Sequence, residues 1–448
     1  SDNSPEINYL KARRTELGGA IPKRYAKADR PAPPRPPLSQ YAEFALAADG
    51  KSMSTTMAFV RMLGGLLKDK AFGPRLIPIV ADEARTFGMD NLFRQVGIYA
   101  PDGQLYEPED AGSMMFYKEA RNGQLIQEGI NEASAISTWT TAATAYSIHN
   151  VELLPFYIFY SMFGFQRVGD QIWAAADQRA RGFLLGATAG RTTLSGEGLQ
   201  HQDGSSHLIA STVPNCRAYD PTFAYEVAVI LEHGMTRMMD ERRDEFFYLT
   251  LMNENYAQPT MPDGVATDDI VKGLYRFGGR GEAGAPRVRL VGAGTILNEV
   301  IAAADLLATR FGVASEIFSA TSFNELARDG VAVERENRLG AATVPATSHV
   351  ERLLGGTDPI VVATDYVRAL PQQIAPFVTG RLSILGTDGF GRSANRGALR
   401  RFFEVDRAHI ALAAIEALFR DGALAHETLT DAIAQLGIDA AAPAPWTK

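Results

Sequence analysis

Apolar and polar positions along this chain fall into blocks whose period switches between helix-like and strand-like. From Ser54 onward, Met57, Val60, Leu63 and Leu67 recur at the spacing of one helical face. A short apolar run at 75–81 predicts a buried strand that ends on Asp82-Glu83. Further strands are predicted at 125–127, 153–160, 183–186, 213–219 and 246–252. Between them lie predicted helices: one carrying Ile136, Trp139 and Ala143, one at 169–181, and one at 221–232 with Pro221 near its first turn. A second series begins with a strand at 288–291, a Gly292-Ala-Gly294 turn and an amphipathic helix at 297–311. Strands at 360–363 and 382–385 and helices at 409–419 and 427–436 follow. Strands alternating with helices imply parallel sheets covered on both faces. The expectation is an α/β chain of two doubly wound domains.

The stretches outside these blocks set the expected boundaries. Residues 1–40 are polar, with Pro31, Pro33, Pro34, Pro36 and Pro37 close together, and read as an extended tether. Residues 257–286 are rich in Pro and Gly and read as a linker. This leaves domains at 41–256 and 287–448.

Composition narrows the function. The chain has 448 residues, 46% hydrophobic and 21% charged, enough for more than one full core. A net charge of −8 offers no basic field for nucleic acid or anionic lipid. No apolar stretch reaches the roughly 20 residues that span a bilayer. A lone Cys216 rules out an intrachain disulfide, makes a structural zinc site an unfavoured reading and fits a reducing, cytoplasmic compartment. The chain starts on Ser rather than Met with no signal peptide, which points to a processed or truncated polypeptide.

Candidate chemistry concentrates in a few segments. Gln127-Glu-Gly-Ile-Asn-Glu132 places Glu128 and Glu132 where a strand gives way to a helix. Acids in a first helical turn also serve the helix dipole, so the pair is ambiguous by itself, and so is Asp82-Glu83. The run 156–165 carries six aromatics and is followed by Arg167. It reads as a core strand or as a stacking wall for a flat heteroaromatic ligand. Gly196-Glu-Gly-Leu-Gln-His-Gln-Asp-Gly204 reads as a mobile polar loop bearing Glu197, His201 and Asp203, at the strand end where open parallel sheets place ligands. Gly292-Ala-Gly294 lacks a third glycine and reads as a tight turn rather than a dinucleotide site. Asp388-Gly-Phe-Gly-Arg-Ser393 reads mainly as a structural turn.

Taken in order, ADEARTFGM at 81–89, QEGINE at 127–132, PFYIFYSMFGFQRVGD at 155–170, GRTTLSGEGLQHQDG at 190–204, NENY at 253–256 and LGTDGFGRS at 385–393 carry more than any one of them. Together they resemble the decarboxylating subunit of bacterial pyruvate dehydrogenase complexes of the homodimeric type, over residues 5–435. The resemblance implies the ring-binding domain of a thiamine-diphosphate fold followed by a transketolase C-terminal-like domain. The diphosphate-binding domain, signed by Gly-Asp-Gly, is not matched, so the ligands of Mg²⁺ are expected on that missing N-terminal part.

On this resemblance Glu132 activates the aminopyrimidine ring of thiamine diphosphate, and Ile130 supports the bent cofactor. Phe163 stacks on the ring, and Tyr160 lines the same pocket. His201 faces substrate, with Glu197 beside it. Asp82 and Glu83 lie near the ring and the dimer interface, and Arg167 joins an acidic passage between two active sites. Ser205 stands where relatives often carry a second His. The implied reaction is oxidative decarboxylation of pyruvate, with transfer to the lipoyl group of a dihydrolipoyl acetyltransferase core. The implied assembly is a homodimer completed by the N-terminal domain. Alternatives are a 2-oxoglutarate decarboxylating subunit, a transketolase, or a non-catalytic fragment used for dimerisation or core binding.

Overall fold

A computed structural model describes residues 2–19, 24–30, 32–81, 84–109, 117–340 and 344–447. The first domain is built on a six-stranded sheet of β1 (Leu76–Val80), β2 (Ile126–Gln127), β3 (Leu154–Tyr160), β4 (Phe183–Ala187), β5 (Cys216–Tyr219) and β6 (Phe246–Thr250). Their order is β2-β1-β3-β4-β6-β5, and every pairing is parallel. β3, β4 and β6 are buried almost throughout, as strands covered on both faces must be.

One face is packed by helix α1 (Thr55–Leu66) and helix α4 (Ala224–Met235), the other by α2 (Glu132–Ala143) and α3 (Phe165–Asp177). Trp139 of α2 is fully buried and donates its indole N–H to the Phe183 carbonyl at 3.0 Å, fixing that helix to β4. In α1 the stripe is wider than predicted. Ala58, Phe59, Met62 and Leu66 are buried along with Val60 and Leu63, while Met57 is exposed.

The second domain carries β7 (Leu274–Arg280), β8 (Arg287–Gly292), β9 (Ala314–Ala320), β10 (Ile360–Ala363) and β11 (Leu382–Leu385), in the order β7-β9-β8-β10-β11. All pairs are parallel except β7 with β9. Helices α5 (Ile296–Phe311), α6 (Phe323–Arg338) and α7 (Arg407–Arg420) pack around it. One apolar cluster runs unbroken from Phe59 and Leu63 through Leu249 to Leu290, Val300 and Ile415, so the two domains share a core.

Two expectations need correction. The supposed tether contains a helix at Pro5–Glu16, because Pro5 sits at its first turn and Ser4 caps it by accepting from the Ile7 amide at 3.3 Å. None of its residues is buried. The supposed linker contains a helix at Thr267–Val271 and the whole of β7. Leu274 and Tyr275 are buried and begin that edge strand, and its register shifts between Arg276 and Gly278. Gly278 and Gly279 disguise a bulged strand as a flexible segment.

Polar side chains clasp the domains together. Asp365, wholly buried after β10, accepts from the amide and hydroxyl of Thr192 at 2.7 Å each and from those of Thr193 at 3.1 and 2.6 Å. Glu226, in the first turn of α4, accepts from Tyr275 at 2.5 Å and Ser319 at 2.7 Å.

Candidate active site

β3 delivers Tyr160 at its C-terminal end, and the chain then turns sharply through Ser161–Phe163 into α3. The turn needs Gly164, since a Cβ there would stand 2.2 Å from the Phe159 ring. Beside it α2 begins at Glu132, capped by Asn131, whose side chain accepts from the Ser134 amide at 3.0 Å. The loop after β4 brings His201 over the same strand ends. This is the edge at which parallel sheets place their ligands.

These elements enclose a cavity of about 150 Å³ lined by Ala81, Phe87, Ile130, Glu132, Phe159, Tyr160, Phe163, Arg167 and His201. Tyr160 and His201 lie nearly parallel with ring centroids 5.2 Å apart. Phe163 meets His201 at 5.2 Å and Tyr160 at 6.0 Å, both edge-on. Phe87 adds another edge contact to Tyr160 at 5.2 Å. Ile130 is 81% exposed at the mouth.

The two acids of the QEGINE segment part company. Glu132 enters the cavity with its side chain 11% exposed and meets Arg167 Nη1 at 3.0 Å through Oε1. Glu128 instead accepts hydrogen bonds from Ser134, at 2.6 Å, and from Thr138, both on the flank of α2. Arg167 also lies over the Phe163 ring, 3.9 Å from its centroid. It therefore pairs with Glu132 at the edge of the cavity, half exposed. Helix α3 starts at Phe165 rather than at 169, and this extra turn carries Arg167 beside Phe163.

Glu197 stands beside the pocket, its Oε2 3.4 Å from His201 Nδ1 and outside hydrogen-bond geometry. Asp82 and Glu83 lie outside the described residues, and Ala81 before them lines the cavity. The loop bearing His201 is pinned rather than loose. Gln202 is buried, accepts from the Arg392 amide at 2.6 Å and donates to the Leu194 carbonyl at 3.3 Å. Asp203 is wholly buried and tied to Ser161, Gln166, Ser205 and Ser206. The signal for it was an Asp followed by Gly-Ser-Ser, a spacing suited to side-chain capping of a turn. The 388–393 segment braces the loop from below, through Arg392 to Gln202 and Ser393 to the Glu197 carbonyl.

Behind the loop lies a buried polar patch. Burial pushes the His207 imidazole down to about 4 and keeps it neutral, with Nε2 2.8 Å from Thr250 Oγ1. Thr250 donates to Asp220 Oδ1 at 2.6 Å, and Asp220 Oδ2 has no hydrogen-bond partner. Burial, with Asp365, Glu226 and Asp203 nearby, pushes the Asp220 carboxyl up to about 8.

Among the described residues no group of three or more His, Cys, Asp or Glu side chains is arranged to hold a metal ion. Among those residues also, no helix is long and apolar enough to cross a membrane.

Comparison with known proteins gives a consistent picture. Residues 38–259 match the pyruvate dehydrogenase E1 component middle domain, and residues 273–406 match the transketolase-like C-terminal domain. The pyruvate dehydrogenase E1 component of Cupriavidus necator is 54% identical over 449 aligned residues, covering 100% of this chain and 50% of that protein. The protein of the same name from Pseudomonas aeruginosa is 54% identical, covering 98% of this chain and 50% of its own length. This chain thus spans about half the length of these relatives. Among solved structures, transketolase from Campylobacter jejuni shares the fold with a TM-score of 0.62 at 14% identity, over 85% of this chain and 49% of that one. A split-gene transketolase described as an inactive β4 tetramer aligns with a TM-score of 0.51 at 15% identity, over 82% of this chain and 99% of that one.

Proposed function

As the chain belongs to the pyruvate dehydrogenase E1 component family, of which it carries the middle and C-terminal domains, we propose that it forms the ring-holding half of a thiamine-diphosphate site for oxidative decarboxylation of pyruvate. The observation that carries this reading is one shielded carboxylate, Glu132, set against an aromatic wall and a histidine in a single small cavity. At about 150 Å³ that cavity is smaller than a complete ligand pocket, typically about 300–1,000 Å³, and suits one end of a ligand. Its donor set fits an aminopyrimidine. It does not fit a metal-bound diphosphate, which needs several oxygen ligands around Mg²⁺. We assign the diphosphate and metal to the part of the relatives that this chain does not span.

Each residue then has a task. Phe163 and Tyr160 stack against the ring. Glu132 holds and releases a proton at a ring nitrogen, a role open to it and closed to Glu128, whose oxygens are engaged by Ser134 and Thr138. Ile130 presents apolar surface at the mouth that would support the cofactor when bound. His201, with Glu197 beside it, handles protons on the substrate side. Arg167 balances the Glu132 charge while the pocket holds no ring. When bound, thiamine diphosphate supplies the electron sink for loss of CO₂. The acetyl unit passes to a lipoyl group on an acetyltransferase core, and the working assembly is a homodimer completed by the N-terminal domain.

On this reading the isolated chain is an inactive half. Titration calorimetry with thiamine diphosphate and Mg²⁺ should show no micromolar binding to it. Addition of the N-terminal half of the Cupriavidus necator relative should restore binding and CO₂ release from pyruvate, in preference to 2-oxoglutarate or xylulose 5-phosphate. Micromolar binding by the chain alone would overturn the half-site. A mixture that binds the cofactor but prefers another substrate would overturn the assignment to pyruvate.

A further inference from the structure

We propose that Asp203 is a positioning residue that holds His201 against the aromatic turn of the ring pocket; this deepens the proposed function and rests on it. Asp203 is fully buried, and five donors converge on its two oxygens. Oδ1 accepts from Gln166 Nε2 at 2.6 Å and from the amides of Ser205 and Ser206 at 3.0 Å each. Oδ2 accepts from the hydroxyls of Ser161 and Ser206. Tyr248, beneath them, bridges the same two hydroxyls at 3.2 and 2.9 Å. None of the hydrogen-bond donors is a Lys or Arg side chain.

The positions of these donors matter more than their number. Ser161 directly follows Tyr160 and lies two residues before Phe163, while Gln166 directly precedes Arg167. One wall of the cavity is therefore tied to the carboxylate at both ends of its turn. Asp203 itself sits two residues after His201, which packs against Tyr160 and Phe163 of that wall. A single buried carboxylate thus ties the loop that carries His201 to the turn on which His201 rests. A carboxylate suits this place because it only accepts, and four residues aim five donors at it. An amide of the same shape keeps one accepting oxygen, and its NH₂ is matched only if the serine hydroxyls turn from donating to accepting.

The contact that depends on this tie is the stacking of His201 on Tyr160, with centroids 5.2 Å apart. If this tie loosens, His201 leaves its place while Tyr160 stays at the end of β3 and Phe163 in the turn that follows it. Misplacement of a catalytic group by about 1 Å lowers turnover on the order of 10²-fold. Affinity for the cofactor, held by Phe163, Tyr160 and the N-terminal domain, changes far less.

Asp203→Asn is the test, with Ser161→Ala as a milder companion that removes one tie. Diethylpyrocarbonate labelling of the chain alone, read by mass spectrometry, reports the His201 environment. The other six histidines serve as internal standards. The expected result is a several-fold rise in His201 labelling with the other histidines unchanged. In the subunit completed by its N-terminal half, kcat should fall about 10²-fold while thiamine diphosphate affinity holds. Ser161→Ala should move both in the same direction by less, and it carries the test by the same readouts if Asp203→Asn does not fold. His201 labelling at the original rate overturns the proposal. So does a rise shared by all seven histidines, since that marks general loosening. Failure of the pyruvate reading shows separately, as a wild-type assembly without turnover, and leaves the labelling arm intact.

Discussion

Glu132→Gln separates stability from chemistry in this pocket, because it keeps the side chain's length and removes its charge. The folded state loses little by it. The Glu132 side chain is 11% exposed, but its partner Arg167 is 48% exposed and half in water. Such a pair contributes at most about 1 kcal/mol. On the proposed role, the reaction should lose much more. A positioned proton donor or acceptor is worth about 10²- to 10⁴-fold in rate, or about 2.7–5.4 kcal/mol of barrier. Glu128→Gln should show the reverse order. It disturbs hydrogen bonds from Ser134 and Thr138 that bind the 128–131 turn to α2, costing roughly 1–2 kcal/mol of stability, and should leave turnover within a few-fold. The assay is CO₂ release from pyruvate by the completed subunit, with thermal unfolding of each variant alongside. Equal rate losses in the two variants, or a larger loss in Glu128→Gln, would refute the assignment of the proton-handling role to Glu132.

Two further outcomes are expected. His201→Ala should reduce acetyl transfer while thiamine diphosphate affinity stays near the wild-type value; a large loss of affinity with normal turnover at saturation would make His201 structural instead. Asp220 has a folded pKa raised to about 8, so the native state holds a proton that the unfolded chain releases above about pH 4. Its contribution to stability is complete below pH 4 and is lost as pH climbs toward 8, by at most about 1.4 kcal/mol per pH unit. Asp220→Asn should remove that slope, so urea midpoints of variant and wild type should separate progressively from pH 5 to pH 8, in the variant's favour. Parallel midpoints over that range would show that Asp220 does not titrate there.

The buried strands were legible because burial on both faces leaves a continuous apolar run. Leu154–Tyr160, Phe183–Ala187, Phe246–Thr250 and Ile360–Ala363 lie within two residues of their predicted bounds. Elements with one wet face were harder to read. Helix α6 carries Glu325, Arg328, Asp329, Glu334, Arg335, Glu336 and Arg338, and buries only Phe323, Asn324, Leu326 and Gly330, so its periodicity is drowned by charge. It went unassigned, as did β9. The helix at 221–232 starts later, at Ala224, because the backbone amides of Thr222 and Phe223 are taken by the Glu226 side chain ahead of the first turn.

The site was legible by residue type and less so by partner. Ile130, Glu132, Tyr160, Phe163, Arg167 and His201 line one cavity. The pairing of Glu132 with Arg167 joins two helices 35 residues apart in sequence, and no periodicity announces it. Asp203 looked like one more polar loop residue, since a buried acid and a solvated one are the same letter.

The bulged edge strand β7 bears on where this protein can be cut and rejoined. A chimera that takes its C-terminal domain from another parent is naturally spliced where the composition looks loose, in the glycine-rich stretch at 278–286. A junction there would leave β7 from one parent zipped to β9 from the other, across a register shift at Arg276–Gly278 that both strands have to match. A junction a few residues beyond β6 is no better. Gln258 is buried and wired to the Met53 carbonyl at 2.7 Å and the Ala224 amide at 2.9 Å, so it belongs to the first domain. Between these lies Asp263-Gly264, exposed on both residues, with Gly264 at φ +81° and open space around it. A crossover at that point transfers the edge strand together with the sheet it completes.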